Sequence, residues 1–233
     1  KSPIQGISET LNIDYRTPKT LKDNHVEYEF LKELNADLAI VCAYGQIIPE
    51  NFLNLTKKGF VNIHASILPS WRGAAPIQRS IMNLDPETGI SIMKIKKELD
   101  SGPVSNIYKI KIDQNQNAQE ISEKLSALAA EKILDNVDDI LEDKAKFIDQ
   151  DHSKATYAKK IDKEESRIDW DEDASKIIGK INGLFPSPGA SFSFNGERYK
   201  ILKAEIGNGI GQVGEIISNQ LEVACNKNQS IKI

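Results

Sequence analysis

Short apolar runs alternating with amphipathic segments constrain the first 143 residues of this 233-residue chain more than any other feature. Leu38-Ala39-Ile40-Val41-Cys42 sits between Asp37 and Tyr44-Gly45, and an unbroken apolar run of that length predicts a strand buried on both faces. Phe60–His64, entered through Gly59, predicts a second strand, and Ile90–Ile95 and Val104–Ile112 predict two more. Helical spacing fills the intervals. Ser2-Pro3 supplies a capping side chain and a ring preset at helical φ, after which Ile4, Ile7 and Leu11 share one face. Val26–Leu34 and Ala75–Met82 are also helical in pattern. Residues 118–141 carry Ile121, Leu125, Leu128, Ala129, Ile133, Val137 and Leu141 as one long stripe. Strands and helices in this alternation predict an α/β domain with a mostly parallel sheet covered by helices.

After residue 143 the pattern changes. Residues 144–162 are polar, mixed in charge and weakly periodic, which predicts a linker. Beyond it, Ala174–Leu184 is the one helical piece, broken by Pro186-Ser187-Pro188-Gly189. Ala190–Phe194 and Arg198–Ile206 flank the hairpin signal Asn195-Gly196, and Glu215–Ile217 and Leu221–Cys225 continue the short-strand spacing. The stretch 163–233 therefore predicts a small, mainly antiparallel second domain, most simply a little barrel. Gly207, Gly209 and Gly211 precede no helical pattern, so they read as turn glycines and not as a phosphate cradle.

Hydrophobic residues at 39% and charged residues at 27% exclude a disordered or fibrous chain. The longest apolar run, Leu38–Tyr44, is too short to span a membrane. Nothing at the start has the form of a secretory signal, and Lys1 in place of a methionine predicts that the true start is missing. Cys42 and Cys225 stand far apart; both are expected in the core, in a reducing, cytoplasmic setting. His25 and His152 lack partners at ligand spacing and are expected at the surface, so no metal is expected. The net charge of −4 does not mark a nucleic-acid binder, but it is uneven: residues 1–143 carry −5, and from Ala174 onward the balance is +3.

Alternation along Phe60–His64 turns Asn62 and His64 to one face and Val61 and Ile63 to the other. Ligands of open α/β sheets bind beyond strand carboxyl ends, where His64 lies. An amide and an imidazole together suit a reaction that builds negative charge on a carbonyl oxygen, because both can donate hydrogen bonds and the imidazole can trade protons. The plainer alternative is a satisfied histidine at a strand end. Asp100, in Leu99-Asp100-Ser101-Gly102, could orient His64 or take a proton, but spacing alone favours reading Asp-Ser-Gly simply as a turn. No Gly-x-Ser-x-Gly elbow is present, which argues against a serine hydrolase.

The stretch NIHASILPSWRGAAPIQRSI from Asn62, with TGISIMKIKKELDSGPV ending at Val104, closely resembles the folate-dependent formyltransferase family. Within it, WRGAAPIQ and TYAKKIDKEESRIDW (Thr156–Trp170) resemble the members that formylate methionyl-tRNA. The likeness extends upstream through VCAYGQIIPE (Val41–Glu50) and covers essentially the whole chain. It implies a Rossmann-like, mostly parallel sheet with helices on both faces, N-terminally incomplete, as a catalytic domain over 1–143. It further implies an OB-like β-barrel over 163–233 that binds tRNA and is cut short at its end. The family's catalytic asparagine, histidine and aspartate fall on Asn62, His64 and Asp100. Ser66, Ile67, Leu68 and Pro69, with Ala43, Tyr44, Gly45 and Gln46, would border the folate.

The resemblance thus implies formyl transfer from 10-formyltetrahydrofolate to the α-amino group of initiator methionyl-tRNA through a tetrahedral oxyanion, by a monomer without metal. Arg72 would meet a substrate phosphate or carboxylate, or else bond to loop carbonyls. Lys176, Lys180, Arg198, Lys200 and Lys203 would contact tRNA phosphates. The rival enzyme reading is a sugar-nucleotide N-formyltransferase using the same donor; the rival of another class is a non-catalytic RNA-binding or scaffolding remnant.

Overall fold

The computed structural model describes residues 2–233. In chain order the elements are α1 (Pro3–Thr10), α2 (His25–Glu33), β1 (Ala39–Cys42), α3 (Glu50–Leu53), β2 (Phe60–His64), β3 (Arg72–Gly73), α4 (Pro76–Met82), β4 (Glu87–Lys94), β5 (Val104–Lys111) and α5 (Ala118–Leu141). There follow β6 (Tyr157–Ala158), α6 (Ala174–Leu184), β7 (Ser191–Phe194), β8 (Glu197–Lys200), β9 (Glu205–Ile206), β10 (Glu222–Cys225) and β11 (Gln229–Lys232).

The α/β expectation holds for the first part, with a mixed pairing pattern. The sheet runs β1-β2-β4-β5; β1 and β2 are parallel, whereas β2–β4 and β4–β5 are antiparallel. Chain length explains the β4–β5 hairpin, since a parallel crossover needs a dozen or more residues and the loop between them is shorter. Against one face of this sheet lies α5, held by a capping box between Asn117 and Glu120. Val61, Ile63, Ile90 and Ile92 meet Ile121, Leu125 and Ile140 there. Since Val61 and Ile63 point to α5, Asn62 and His64 face the opposite side.

Two apolar expectations fail, one on the sheet's edge strand and one on α1. β1 alternates between half-buried and exposed residues; Ile40 is 47% exposed and Cys42 is an exposed free thiol. The cause is position, because β1 pairs only with β2 and none of the described residues pairs with its outer edge. α1 forms as the Ser2 cap and Pro3 dictate, yet Ile4, Ile7 and Leu11 remain exposed. Cys225 is buried as expected.

The second part gathers antiparallel strands around α6. Ile177, Ile181 and Leu184 of α6 pack on Ile168, Ala190, Ile201, Cys225 and Ile231. The strands lie in two separate antiparallel sheets, β7–β8 and β10-β11-β9. Asn195 and Gly196 both take positive φ in the β7–β8 turn. Gly179 and Gly183 let α6 approach α4 closely, since a Cβ on Gly183 would fall 2.6 Å from Met82 Cγ. The stretch 144–162, expected as a linker, is laid against the first part: Ile148 bridges to Val104, and β6 pairs in parallel with β3. No described helix is long and apolar enough to cross a membrane.

Candidate active site

β2 ends at His64, and the chain turns at once into the loop that carries Trp71 and Arg72. The imidazole is 5% exposed. Its Nε2 lies 2.9 Å from the carbonyl oxygen of Trp71; a carbonyl only accepts, so Nε2 donates. Its Nδ1 lies 3.6 Å from Asp100 Oδ2, within ion-pair range but too long for a hydrogen bond. The same Oδ2 accepts the backbone N–H of Gly73 at 2.8 Å. Asp100 Oδ1 and the Asn62 carboxamide have no hydrogen-bond partner among the described residues. Asn62 stands two residues before His64 on the same strand face, half-buried. The structure thus brings His64 and Asp100 together and leaves an uncommitted amide on the same side.

The backbone around this group is held in unusual conformations. Trp71 (φ 61°) and Asp100 (φ 46°) occupy the left-handed region, which costs an L-residue roughly 1–2 kcal/mol. Trp71 is fixed by two bonds: its N–H donates to Thr156 Oγ1 at 2.8 Å, and its indole donates to Asp85 at 2.7 Å. Gly73 and Gly102 serve close approach. A Cβ on Gly73 would lie 2.7 Å from the Ala158 carbonyl, and one on Gly102 only 1.8 Å from that of Lys94.

Several expected contact residues are engaged elsewhere. Arg72 is 3% exposed; its Nε and Nη2 donate to Gln150 Oε1 at 3.1 and 2.7 Å, and Nη2 also lies 3.1 Å from His152 Nδ1. Enclosed and already bonded, Arg72 does not present its guanidinium to a substrate phosphate or carboxylate. Its partner is a side-chain amide, not the loop carbonyls that the sequence alone suggested. His152 is exposed as expected but has this partner. Ser66 is fully buried, its hydroxyl donating to Ser70 O while its carbonyl accepts from Ser91, and Leu68 is 3% exposed. These two shape the loop from within, so neither is open to a folate. Ile67 and Pro69 are half-buried, while Ala43, Tyr44, Gly45 and Gln46 are exposed, with Gln46 donating to Lys19 O at 2.9 Å.

A cavity of about 530 Å³ lies beside the segment leading to Asp100. Leu53 and Asn54, Gly59 and Phe60, and residues from Lys94 to Glu98 line it; Asn62, His64, Asp100 and the expected folate residues do not.

In the second part, Lys176 and Lys203 are exposed. Lys180 is instead drawn down to Glu172 at 3.3 Å, whereas Arg198 is exposed while donating to Ser191 and Ser166. Lys200 leans over Gly189 toward Pro186 O at 3.4 Å. The glycine loop is not an open cradle: Glu222 Oε1 accepts the N–H groups of Asn208 and Gly209 at 2.9 and 2.7 Å and the Ser230 hydroxyl at 2.7 Å. These donors hold the Glu222 carboxyl below its ordinary value. At the junction, Arg79 of α4 grips Glu165 through both carboxylate oxygens at 2.5 and 2.9 Å, holding that carboxyl low as well. Among the described residues no group of three or more His, Cys, Asp or Glu is placed to hold a metal ion.

Sequence reasoning missed Thr156 and Gln150, because a polar, aperiodic stretch gives no sign that it is threaded under a site. Comparison with known proteins matches residues 2–137 to the formyl transferase family and 160–233 to the formyl transferase C-terminal domain. The methionyl-tRNA formyltransferase of Pelagibacter ubique is 65% identical over all 233 residues, which span 75% of that relative. That of Dictyoglomus turgidum is 41% identical over 232 residues, 73% of its length. Among solved structures, the sugar 3N-formyl transferase WlaRD, crystallised with dTDP and 5-N-formyl-THF, superposes with a TM-score of 0.76 at 21% identity, over 100% of this chain and 80% of its own. HypX from Aquifex aeolicus, in complex with tetrahydrofolic acid, does so at 0.72 and 19%, over 92% of this chain and 38% of its own.

Proposed function

This chain belongs to the formyl transferase family, and on that premise we propose that it moves a formyl group from 10-formyltetrahydrofolate to the free α-amino group of initiator methionyl-tRNA. The relatives at 65% and 41% identity support the tRNA acceptor, whereas the sugar-formylating neighbours share only the fold. The single observation that carries the chemistry is the meeting of His64 and Asp100 beside the unpaired amide of Asn62.

The donor supplies a formyl carbon on a leaving nitrogen. The neutral amine of methionine attacks that carbon, a C–N bond forms, and the carbonyl π pair moves onto oxygen. Asn62 meets the new oxyanion with its carboxamide N–H. His64, as an imidazolium whose Nε2–H stays on Trp71 O, donates to it from Nδ1–H, the nitrogen that Asp100 approaches only at ion-pair distance. Asp100 Oδ1, the uncommitted oxygen, takes the proton from the attacking amine, directly or through water, and passes it to the departing nitrogen as the old C–N bond breaks. The Gly73 N–H keeps Oδ2 fixed while Oδ1 works.

The donor's ring is assigned to the exposed Ala43–Gln46 segment with Ile67 and Pro69, beyond the carboxyl ends of β1 and β2 where His64 lies, because the cavity lined by Leu53, Phe60 and Ile95 sits at the opposite end of β2. Exposed basic groups of the second part, Lys176 and Lys203 among them, contact tRNA phosphates. The test offers 10-formyltetrahydrofolate with either methionyl initiator tRNA or an amino-sugar nucleotide. Formyl-methionyl-tRNA as the product supports the reading; formylation of the sugar, or of neither acceptor, overturns it.

A further inference from the structure

Gln150 lies on the segment that joins the two parts of the chain, yet it is only 8% exposed and has all its hydrogen-bonding capacity engaged. Its Oε1 accepts from Arg72 Nε and Nη2 at 3.1 and 2.7 Å. Its Nε2 donates to the carbonyls of Asp100 and Gly102 at 2.9 and 2.7 Å. The orientation of the amide follows from its surroundings, because guanidinium nitrogens only donate and carbonyls only accept. The segment is pinned on both sides of Gln150. Ile148 exchanges both backbone bonds with Val104, and Thr156 donates its N–H to Pro69 O and accepts from Arg72 N. One carboxamide thereby ties the loop after His64, through Arg72, to the loop that carries Asp100.

We propose that Gln150 is a positioning residue for the transfer reaction: it clamps the Asp100 loop so that the carboxylate reaches His64 and the Gly73 N–H. The inference rests on the roles proposed for His64 and Asp100. Asp100 sits in the left-handed region, where its backbone needs outside support, and the Gln150 bonds to the carbonyls of residues 100 and 102 bracket that conformation. Arg72 is the anchor on the other side, which gives its burial a purpose that substrate contact does not.

Gln150→Glu keeps the size of the side chain and gives Arg72 a carboxylate partner, but sets an acceptor against two carbonyl oxygens. Gln150→Leu removes both sets of bonds. Steady-state formylation by the whole chain is measured for both. The clamp predicts that each variant lowers kcat by about 10- to 100-fold, the range expected for an ångström of misplacement, with KM for the donor within about threefold. In an Asp100→Asn background, Gln150→Glu adds less than about twofold, because both changes act through one carboxylate. A side chain that only filled space would leave Gln150→Glu at wild-type kcat, and one acting elsewhere would multiply with Asp100→Asn; either result overturns the proposal.

A second readout needs no turnover. The chain has three histidines, so the imidazole ¹⁵N signals of His64 can be assigned by replacing His25 and His152. They shift in Gln150→Glu if the clamp sets the Asp100 position, and unchanged signals overturn it. A wild-type chain that formylates no acceptor, with His64 signals that still move, refutes the assigned reaction and leaves the clamp standing.

Discussion

Replacing Gly102 by alanine perturbs the site without removing any group that donates or accepts a hydrogen bond. The added Cβ would stand 1.8 Å from the Lys94 carbonyl oxygen, and real Cβ contacts essentially never fall under 3.0 Å. Strand β4 ends at Lys94, whose N–H is already bonded to Pro103 O at 2.9 Å, so the strand cannot simply recede. The loop must therefore lift by about 1.2 Å. Asp100, two residues away, is held by a 2.8 Å bond to Gly73 N and a 3.6 Å approach to His64. A displacement of that size takes the first beyond hydrogen-bond length and opens the second. An ångström of misplacement at a reacting centre typically costs about 10²-fold in rate. Overpacking adds about 1–3 kcal/mol of destabilisation. The assay is formylation at saturating donor and acceptor beside a thermal melt of the same preparation. Gly6→Ala in α1 serves as control, since nothing lies within 4 Å of its new Cβ, and it should gain about 0.5–1 kcal/mol. A Gly102→Ala chain that stays folded and turns over at the wild-type rate refutes the reasoning, for Asp100 would then not need its observed position.

Acid should weaken the second part through Glu222. Its carboxyl is held below the ordinary value near 4.5, so its stabilisation is complete above that pH and disappears as pH falls through the lower native value. The wild-type melting temperature should drop more steeply than that of Glu222→Gln below about pH 4.5, and parallel curves would count against the staple. Arg79→Met removes the two-point grip on Glu165 and the bonds to the Lys159 and Lys160 carbonyls. After allowance for partial exposure, denaturant unfolding should show a loss of about 1–3 kcal/mol, and an unchanged midpoint would contradict it. Affinity for initiator tRNA should fall linearly on a log–log plot against salt, and Lys176→Ala and Lys203→Ala should each lower the slope by about one. A flat plot would remove the phosphate contacts from the account.

Patterning carried the elements well where each had a single job. β2, α5 and α6 fall where period two and period 3.6 place them, because α5 and α6 lay apolar stripes on their sheets and β2 is covered on both faces inside its sheet. Apolar character misled where neighbours decide burial, as with Ile40 and Cys42 on an edge strand and Ile4, Ile7 and Leu11 on α1. Likeness to a family supplied the trio of Asn62, His64 and Asp100; spacing alone left a strand-end histidine and a turn. Arg72 shows the limit of reasoning by residue type, since a loop arginine can face substrate or brace the loop, and only its burial against Gln150 decides. The supporting residues were illegible for a physical reason: Gln150 and Thr156 act through contacts 48 or more residues distant in the chain, with no local period to announce them.

Asn62 and His64 are assigned to bind the developing oxyanion and not the resting donor, and one paired measurement isolates that difference. Donor affinity by calorimetry and kcat by formylation are determined for the wild type, Asn62→Ala and His64→Ala. Loss of one such donor is expected to cut kcat by about 10²–10³-fold while the donor's Kd changes by no more than about threefold. Variants that lose affinity and turnover in equal proportion, or that retain the wild-type kcat, would contradict the central claim.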